Sequence, residues 1–456
     1  MIKLYFIVPK NKIRLEDYFL GKLRFYLSLI TAKLAYTTLR VTRLSSGTSF
    51  VGMLALKICP NFLTYANKYI TISKLNVTGT NGKTTTSGLI SHLIKSDKHS
   101  VVNNAMGANM LTGVVNALSL AITPFKKFDY SVIESDEAYL EKIYNNFDAN
   151  YLVVTNLFRD QLDRYGELAT TKKLIQNGID KKPDLQLILN ADDPLVATFT
   201  SKNKQPIFYG IEEVEGLEEH ASSTEEAFNC PTCGAALKYS KKFFAQQGHY
   251  YCDCGYKRVK PKYSAKVTIH KTHTIINLNG EEYTVPLVGL FNAYNALAAI
   301  ALCKELGINN IQENLKTFRV AFGRSEVKDL YKHKTLIQLI KNPIGANEVL
   351  KTVDLDSNIL IIINDNYADG RDVSWLWDAE FEWLKDAKKE IVVSGIRAYD
   401  MALRLKYAGI EGIKIIPDIK KAVDYTGKIA DNNITILPTY TALLKINKIK
   451  ELKKCY

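Results

Sequence analysis

One segment of this 456-residue chain constrains its fold more than any other: residues 74–86, Lys-Leu-Asn-Val-Thr-Gly-Thr-Asn-Gly-Lys-Thr-Thr-Thr. A short strand over 74–77 runs into a glycine-bearing turn, and a helix follows to about Leu93. Glycines let main-chain amides turn toward an anion, and the helix N-terminus adds partial positive charge. Lys83 can reach terminal phosphates, and the Thr84 hydroxyl can bind Mg²⁺. Gly79, Thr80, Asn81, Gly82 and Thr85 complete the expected ATP-binding turn. The spacing departs from GxxxxGK[ST], because Val77 stands where that pattern has its first glycine.

Strand-like pieces at 130–133, 152–155, 185–189 and 207–209 alternate with helical stretches, which predicts an α/β domain with a largely parallel sheet. The chain turns acidic and polar over 212–226 and then carries four cysteines. Alternating stretches follow at 265–269 and 274–278, the latter ending in a hairpin-like Leu278-Asn-Gly-Glu-Glu. The core pattern returns over 285–306, so the cysteine module reads as an insertion. A helix-rich join is predicted over 311–330. A second α/β unit then has strands at 359–364, 391–394, 415–417 and 434–437, with a helix over 398–407.

Two groups of side chains suggest metals. Glu134, in Ile133-Glu-Ser-Asp-Glu137, follows an apolar strand, and ligand groups gather at the carboxyl ends of open sheets. It can hold Mg²⁺ directly or through water; Asp136 and Glu137 stand beside it. The other reading is an acid-rich helix start. Cys230-Pro-Thr-Cys233-Gly and Cys252-Asp-Cys254-Gly form two knuckles with 18 residues between the inner cysteines. Four thiolates close a tetrahedral zinc site and leave no open position for catalysis. His249 is a rival ligand, and a redox role is the competing reading. Cys303, in an apolar helical run, reads as a small core residue.

Lys plus Arg number 60 against 47 acidic residues, a net charge of +13. Residues 1–70 hold eleven of the basic residues and only Glu16 and Asp17 as acids, so nine of the thirteen charges lie there. The rest of the chain is nearly balanced. Apolar residues at 46% exclude a mainly disordered or fibrous chain. No signal peptide or spanning segment is evident, which predicts a soluble, cytoplasmic protein. Helices over 26–58 with a basic face permit contact with a membrane surface. A solvated helical layer is the plainer account.

The segments 78–86 and Glu134-Ser-Asp-Glu137 resemble the central-domain motif series of the Mur ligase family. So do Asn156-Leu-Phe-Arg-Asp-Gln-Leu-Asp163, Asn190-Ala-Asp-Asp-Pro194 and Phe291-Asn-Ala-Tyr-Asn-Ala296. With the four-cysteine insertion and Asn364-Asp-Asn-Tyr-Ala-Asp-Gly-Arg-Asp-Val-Ser-Trp-Leu-Trp-Asp378, the chain is similar to the MurT-like branch of that family, from about residue 30 to 445. The resemblance implies a basic helical segment over 1–70 and an ATP-binding domain over 71–310 interrupted by a zinc ribbon at 225–260. A partner-facing α/β domain would cover 311–456. It also implies ATP- and Mg²⁺-dependent amidation of the lipid II D-glutamate α-carboxylate, with a GatD-type glutaminase supplying ammonia. By carry-over, Lys83 and Glu134 serve the phosphoryl transfer, Asn190 and Asp193 contact ribose or base, and Asn292 and Asn295 border adenine. Arg324 approaches phosphate or helps domain closure, while Asp372 supports the partner's glutaminase histidine.

Other functions remain open at this level. A Mur-type amino-acid ligase acting alone would share the phosphate loop, though the C-terminal half lacks a recognisable amino-acid-binding signature. The lysine that many relatives carbamylate for a second metal is not identifiable. An ATP-gated nucleic-acid module would use the ribbon and a basic-aromatic patch at Lys238, Lys241, Lys242, Phe243 and Phe244. No nucleic-acid partner is expected under the main reading.

Overall fold

The computed structural model describes residues 15–42, 48–104, 108–158, 168–216, 228–270, 272–319 and 324–454, with backbone alone for 15–18, 48, 324–326 and 453–454. The chain divides into two compact units, the first holding most of the residues up to Phe318 and the second consisting mainly of Arg319–Tyr456.

In the first unit, β1 (Ile70–Thr78), β2 (Val101–Asn103), β3 (Phe128–Glu134), β4 (Tyr151–Val154), β5 (Gln186–Asn190) and β6 (Ile207–Glu215) are core strands. The cysteine insertion contributes the hairpin β7 (Lys238–Phe244) and β8 (Gln247–Tyr251), and the chain re-enters through β9 (Tyr263–Ile269), β10 (Thr274–Leu278) and β11 (Glu281–Val285). The nine-stranded sheet has the order β11-β10-β9-β6-β5-β4-β1-β3-β2. Its pairs are parallel from β2 to β9, and β9, β10 and β11 are antiparallel.

This order follows from burial. Leu75, Val77, Val132, Ile133, Leu152, Val153, Val154, Leu187, Ile188 and Leu189 are all fully enclosed, as expected of strands covered on both faces. The Leu290–Glu305 helix is apolar around most of its circumference and is buried from Asn292 through Cys303. It therefore lies inside the unit rather than over it. Truncating Leu297 to Ala there should cost about 2–5 kcal/mol. Strand order reverses on either side of β1, so the turn leaving its carboxyl end sits at the switch point where open sheets place ligands.

The N-terminal helices span Leu15–Thr42 and Thr48–Ile58. Phe25 packs against Phe62 and Tyr69, with ring centroids 5.0 and 5.7 Å away. Phe25, Leu29 and Ala32 are the helix's buried apolar face.

The second unit has β12 (Arg324–Leu330), β13 (His333–Gln338), β14 (Asn358–Ile362), β15 (Ile391–Ser394), β16 (Lys414–Ile415), β17 (Ile434–Pro438) and β18 (Leu452–Lys454). Their order is β16-β15-β14-β17-β13-β12-β18. The helix-rich join expected over 311–330 is corrected here: the helix is only Ile311–Lys316, and Arg324–Leu330 is a strand. Residues of good helix propensity such as Glu326 and Lys328 are held extended by antiparallel pairing with β13 and β18, tertiary pairing overriding a weak local preference.

Candidate phosphate-binding site and cysteine cluster

Thr78 ends β1 and Lys83 opens the next helix, which spans Lys83–Ser96. Between them, Gly79 and Gly82 have φ of 122° and 84°, a region costly for residues with a Cβ. Neighbouring groups leave no room for a Cβ at either position unless they move. A Cβ on Gly79 would lie 2.4 Å from Thr155 Oγ1, and one on Gly82 would lie 2.0 Å from Asn295 Oδ1.

The turn is clamped from the carboxyl end of β4. Asn81 N–H donates to Asn156 Oδ1 at 2.8 Å, and Asn156 Nδ2 donates to Asn81 O at 3.1 Å. Thr155 Oγ1 donates to the same Asn81 carbonyl at 2.7 Å, while Thr80 N–H donates to Asn156 O at 2.9 Å. Thr155 and Asn156 were not singled out by sequence reasoning as site residues. Asn156 begins a recognised motif, and that was the available signal. The rest of that motif from Arg159 to Asp163 lies outside the described residues.

Lys83 is buried and folded back on the turn. Its Nζ donates to Glu137 Oε1 at 2.8 Å and to the carbonyls of Gly79 and Thr80. Burial alone would drive the ammonium toward neutrality. Glu137, with Asp136 and Glu134 behind it, outweighs that and raises the Lys83 pKa above the ordinary lysine value. Glu137 thus emerges as the lysine's resting counter-ion.

Glu134 ends β3 opposite Val77 of β1. Asn104 brackets its main chain, accepting from Glu134 N–H and donating to Glu134 O, both at 2.8 Å. Asn109 Nδ2 donates to Glu134 Oε1 at 3.3 Å. Glu134 Oε2 is buried without any hydrogen-bond partner. An orphaned carboxylate oxygen beside a phosphate-shaped turn fits a hard cation such as Mg²⁺. Thr84, half-buried in the first turn of the helix, is the other expected ligand. Residues 105–107, between Asn104 and Asn109, lie outside the described residues.

The remaining expected nucleotide contacts divide. Asn295 accepts from Thr86 Oγ1 at 3.3 Å, and Asn292 Nδ2 donates to Val288 O at 2.8 Å; both asparagines stand beside the turn's wall. Asn190, fully buried, donates to Thr155 O at 3.4 Å and so joins the clamp. Asp193 is enclosed as well, and its carboxylate accepts from the amides of Leu157, Leu195 and Val196. That carboxylate holds main chain together. Arg324 opens β12, and its side chain lies outside the described residues, as does Gly323.

The four cysteines converge. Their sulfurs all lie within 4.8 Å of one another, with Cys230–Cys254 and Cys233–Cys252 at 3.7 and 3.5 Å. A tetrahedral zinc with Zn–S of about 2.3 Å has edges of about 3.8 Å, so the donor set fits that ion. His249 is turned away, its Nε2 lying 2.9 Å from Ile211 O. The patch considered for nucleic acid is largely engaged within the fold. Lys238 pairs with Asp253 at 2.9 Å, Lys241 donates to Glu212 O at 2.9 Å, and Lys242 lies over the Tyr239 ring.

This hairpin reaches back to the clamp. Gln246 Nε2 donates to Leu157 O at 2.6 Å and to Asp193 Oδ2 at 3.3 Å. Arg258 pairs with the enclosed Asp192 at 2.5 Å. Gln246 is the residue sequence reasoning missed altogether, since a lone glutamine at a hairpin turn carries no signal of its own.

In the second unit, Asp372 Oδ1 accepts from Ser374 N–H at 2.8 Å, closing a local turn just before the short helix Trp375–Asp378. Of the other carboxylates in the same stretch, Asp369 is buried and accepts from Thr441 N–H and Oγ1, and Asp365 pairs with Arg397 at 3.1 Å. Trp375 and Trp383 pack on the core, whereas Trp377 is exposed beside Tyr407.

The family profile described as Mur ligase middle domain matches residues 77–303, and that described as MurT ligase C-terminal matches residues 339–443. The chain is 36% identical over 428 residues to the lipid II isoglutaminyl synthase (glutamine-hydrolyzing) subunit MurT of Staphylococcus aureus strain COL, covering 92% of this chain and 96% of the relative. Its identity to the subunit of the same name from Streptococcus pneumoniae is 34%, over 90% of this chain and 93% of the relative. A pseudomurein peptide ligase type C from Methanothermus fervidus shares the fold, with a TM-score of 0.67 at 23% identity, covering 84% of this chain and 79% of that one. MurF ligase of Thermotoga maritima, solved in complex with ADP, gives a TM-score of 0.57 at 15% identity over 87% and 83% of the two chains.

Proposed function

The chain belongs to the MurT family of Mur ligase-type subunits, and on that premise we propose that it is the ATP-using subunit of a lipid II isoglutaminyl synthase. Its reaction converts the D-glutamate α-carboxylate of lipid II to D-isoglutamine. A GatD-type glutaminase is its partner and supplies ammonia from glutamine.

One observation carries the reading. The first unit has a complete phosphate-binding turn with a buried lysine and an unsatisfied carboxylate oxygen, but between residues 334 and 454 the chain has neither cysteine nor histidine. Asp372 thus stands in a stretch of 121 residues that offers it neither a thiol nucleophile nor an imidazole base, in keeping with a partner chain that supplies both. Near that loop, Tyr399, Leu403 and Tyr407 form an exposed stripe at helical spacing, and Trp377 stands against Tyr407. Apolar and aromatic groups of this kind suit a protein interface.

The chemistry follows from the site. The γ-phosphoryl group passes from ATP to the stem-peptide carboxylate, giving ADP and an acyl phosphate. Ammonia attacks the acyl carbon, the C–O bond to phosphate breaks, and the amide remains after loss of a proton. Lys83 exchanges Glu137 for the terminal phosphates when nucleotide arrives and offsets the charge that spreads over the transferring group. Mg²⁺, held by Glu134 and Thr84, neutralises phosphate oxygens when bound. The turn amides of Thr80, Asn81 and Gly82, with Lys83, Thr84 and Thr85, cradle the phosphates. Asn190, Asn292 and Asn295 line the nucleoside side. Asp193 supports that wall from inside. Asp372 orients the partner's histidine, in the manner of the acid of a Cys-His-Asp arrangement. Zinc in the four-cysteine cluster is structural.

No described helix is long and apolar enough to cross a membrane. The protein acts at the cytoplasmic face of the membrane, where its lipid-linked substrate is displayed. Incubation with a GatD-type glutaminase, lipid II, ATP and glutamine tests the reading: amidated lipid II should form and should depend on both ATP and glutamine. A product heavier by an amino-acid residue, formed without the glutaminase, would identify a free-standing amino-acid ligase instead.

A further inference from the structure

The Leu15–Thr42 helix has two apolar faces, and among the described residues only one is covered by the fold. Phe25, Leu29 and Ala32 are buried against the first unit, while Phe19, Leu20, Leu23, Leu27, Ile30, Leu34 and Val41 are 47–77% exposed. At about 3.6 residues per turn, those seven exposed side chains fall within an arc of about 100°. The arc lies opposite the buried face and runs for about 33 Å along the helix. Lys22 and Arg40 border the stripe on one side, and Arg24 borders it on the other.

We infer that this outer stripe is a membrane-binding face, laid parallel to an anionic lipid surface with its basic borders at the level of the headgroups. The choice of occupant rests on the proposed lipid-linked substrate and on charge. Residues 1–70 carry eleven basic residues and two acids, and each basic side chain near an anionic surface adds attraction. Two copies joined through this stripe would instead bring cationic borders together. A helix with a narrow apolar arc between basic edges sinks its apolar groups to the acyl boundary while lysine and arginine stems reach back to the headgroups. It lies on the bilayer and does not span it, in keeping with the absence of any described helix fit to cross.

The test uses the full chain in complex with its glutaminase and two kinds of vesicle, phosphatidylcholine with phosphatidylglycerol and phosphatidylcholine alone. The parent complex should co-float with the anionic vesicles. Combined replacement of Leu23, Leu27, Ile30 and Leu34 by Asn should weaken partition about tenfold or more. Replacement of Lys22, Arg24 and Arg40 by Gln should weaken partition to anionic vesicles comparably and remove most of its salt dependence. Both variants change exposed side chains and should keep nucleotide binding. They should also keep amidation of a short-chain, water-soluble lipid II analogue while losing activity on vesicle-embedded lipid II. Unchanged partition in both variants, or no binding by the parent complex, overturns the inference. So does loss of glutaminase binding or of self-association with vesicle binding intact, which would assign the stripe to a protein. Vesicle binding without amidation of either substrate would strike the functional reading and leave the membrane face standing.

Discussion

Asn295 occupies the space that a side chain at Gly82 would need: a Cβ there would fall 2.0 Å from its Oδ1, with the Gly82 backbone at φ 84°. Gly82→Ala therefore meets both a clash and a left-handed backbone penalty of about 1–2 kcal/mol. Nucleotide affinity, measured by titration calorimetry, should fall about tenfold or more. Shortening the neighbour with Asn295→Ala in the same chain should recover part of the loss, because it removes the clash and leaves only the backbone term. No recovery would mean that the contact does not set the turn's shape.

The Lys83–Glu137 pair, 2.8 Å apart with both side chains nearly enclosed, gives a pH signature. Burial pushes the Glu137 carboxyl up, and Lys83 is the main influence holding it down. Lys83→Met leaves a buried carboxylate without its cation, a loss of about 3–5 kcal/mol at neutral pH. The Glu137 pKa then climbs further above its unfolded value of about 4.3. A carboxyl raised in the folded state adds stability below its unfolded pKa and loses it as pH rises through the folded value. The melting temperature of Lys83→Met should thus fall as pH rises above the unfolded carboxyl value, and adding Glu137→Gln should flatten the curve. In the parent protein the raised Lys83 pKa places its own loss above the ordinary lysine range. Parallel curves for the parent and Lys83→Met would rule out this coupling.

The ribbon hairpin should matter to nucleotide binding although it carries no catalytic group. Gln246 holds Leu157 O at 2.6 Å, next in sequence to the Asn156 clamp on Asn81. Gln246→Ala should weaken nucleotide binding by about 1–2 kcal/mol while zinc content stays at one ion per chain. Chelation of the metal should lower both thermal stability and affinity. Full affinity after chelation would show that the ribbon is independent of the turn.

The sequence disclosed the parts whose geometry is local. A strand entering a glycine turn before Lys83 specifies a parallel sheet and a phosphate cradle together, and paired knuckles specify a four-thiolate cluster. Long-range partnerships were hidden. Glu137 looked like one acid of three, and only the fold shows that Lys83 reaches it. Asp193 was expected near the nucleotide only by carry-over from the family motif, and its three bonds to main-chain amides were not legible in the sequence. Arg324–Leu330 read as helical because β12 owes its form to strands that pair with it from both sides.

Asp372 has one oxygen on Ser374 N–H, which fixes the loop and leaves the carboxylate half-buried at the surface. Asp372→Asn preserves an oxygen acceptor for that turn but removes the charge. Glutamine-driven amidation should fall by about a hundredfold or more, by analogy with loss of the orienting acid in triads. ATP-dependent amidation from added ammonia should persist. Equal loss with both nitrogen donors would place Asp372 in the ligase reaction itself.

The most direct measurement is mass spectrometry of lipid II after incubation with the reconstituted two-subunit enzyme, ATP and isotopically labelled glutamine. One labelled nitrogen should appear in the carboxamide formed from the D-glutamate α-carboxylate, with one ATP consumed per amide, and the product should vanish with Lys83→Met. Unmodified lipid II from a preparation that binds ATP and hydrolyses glutamine would contradict the account.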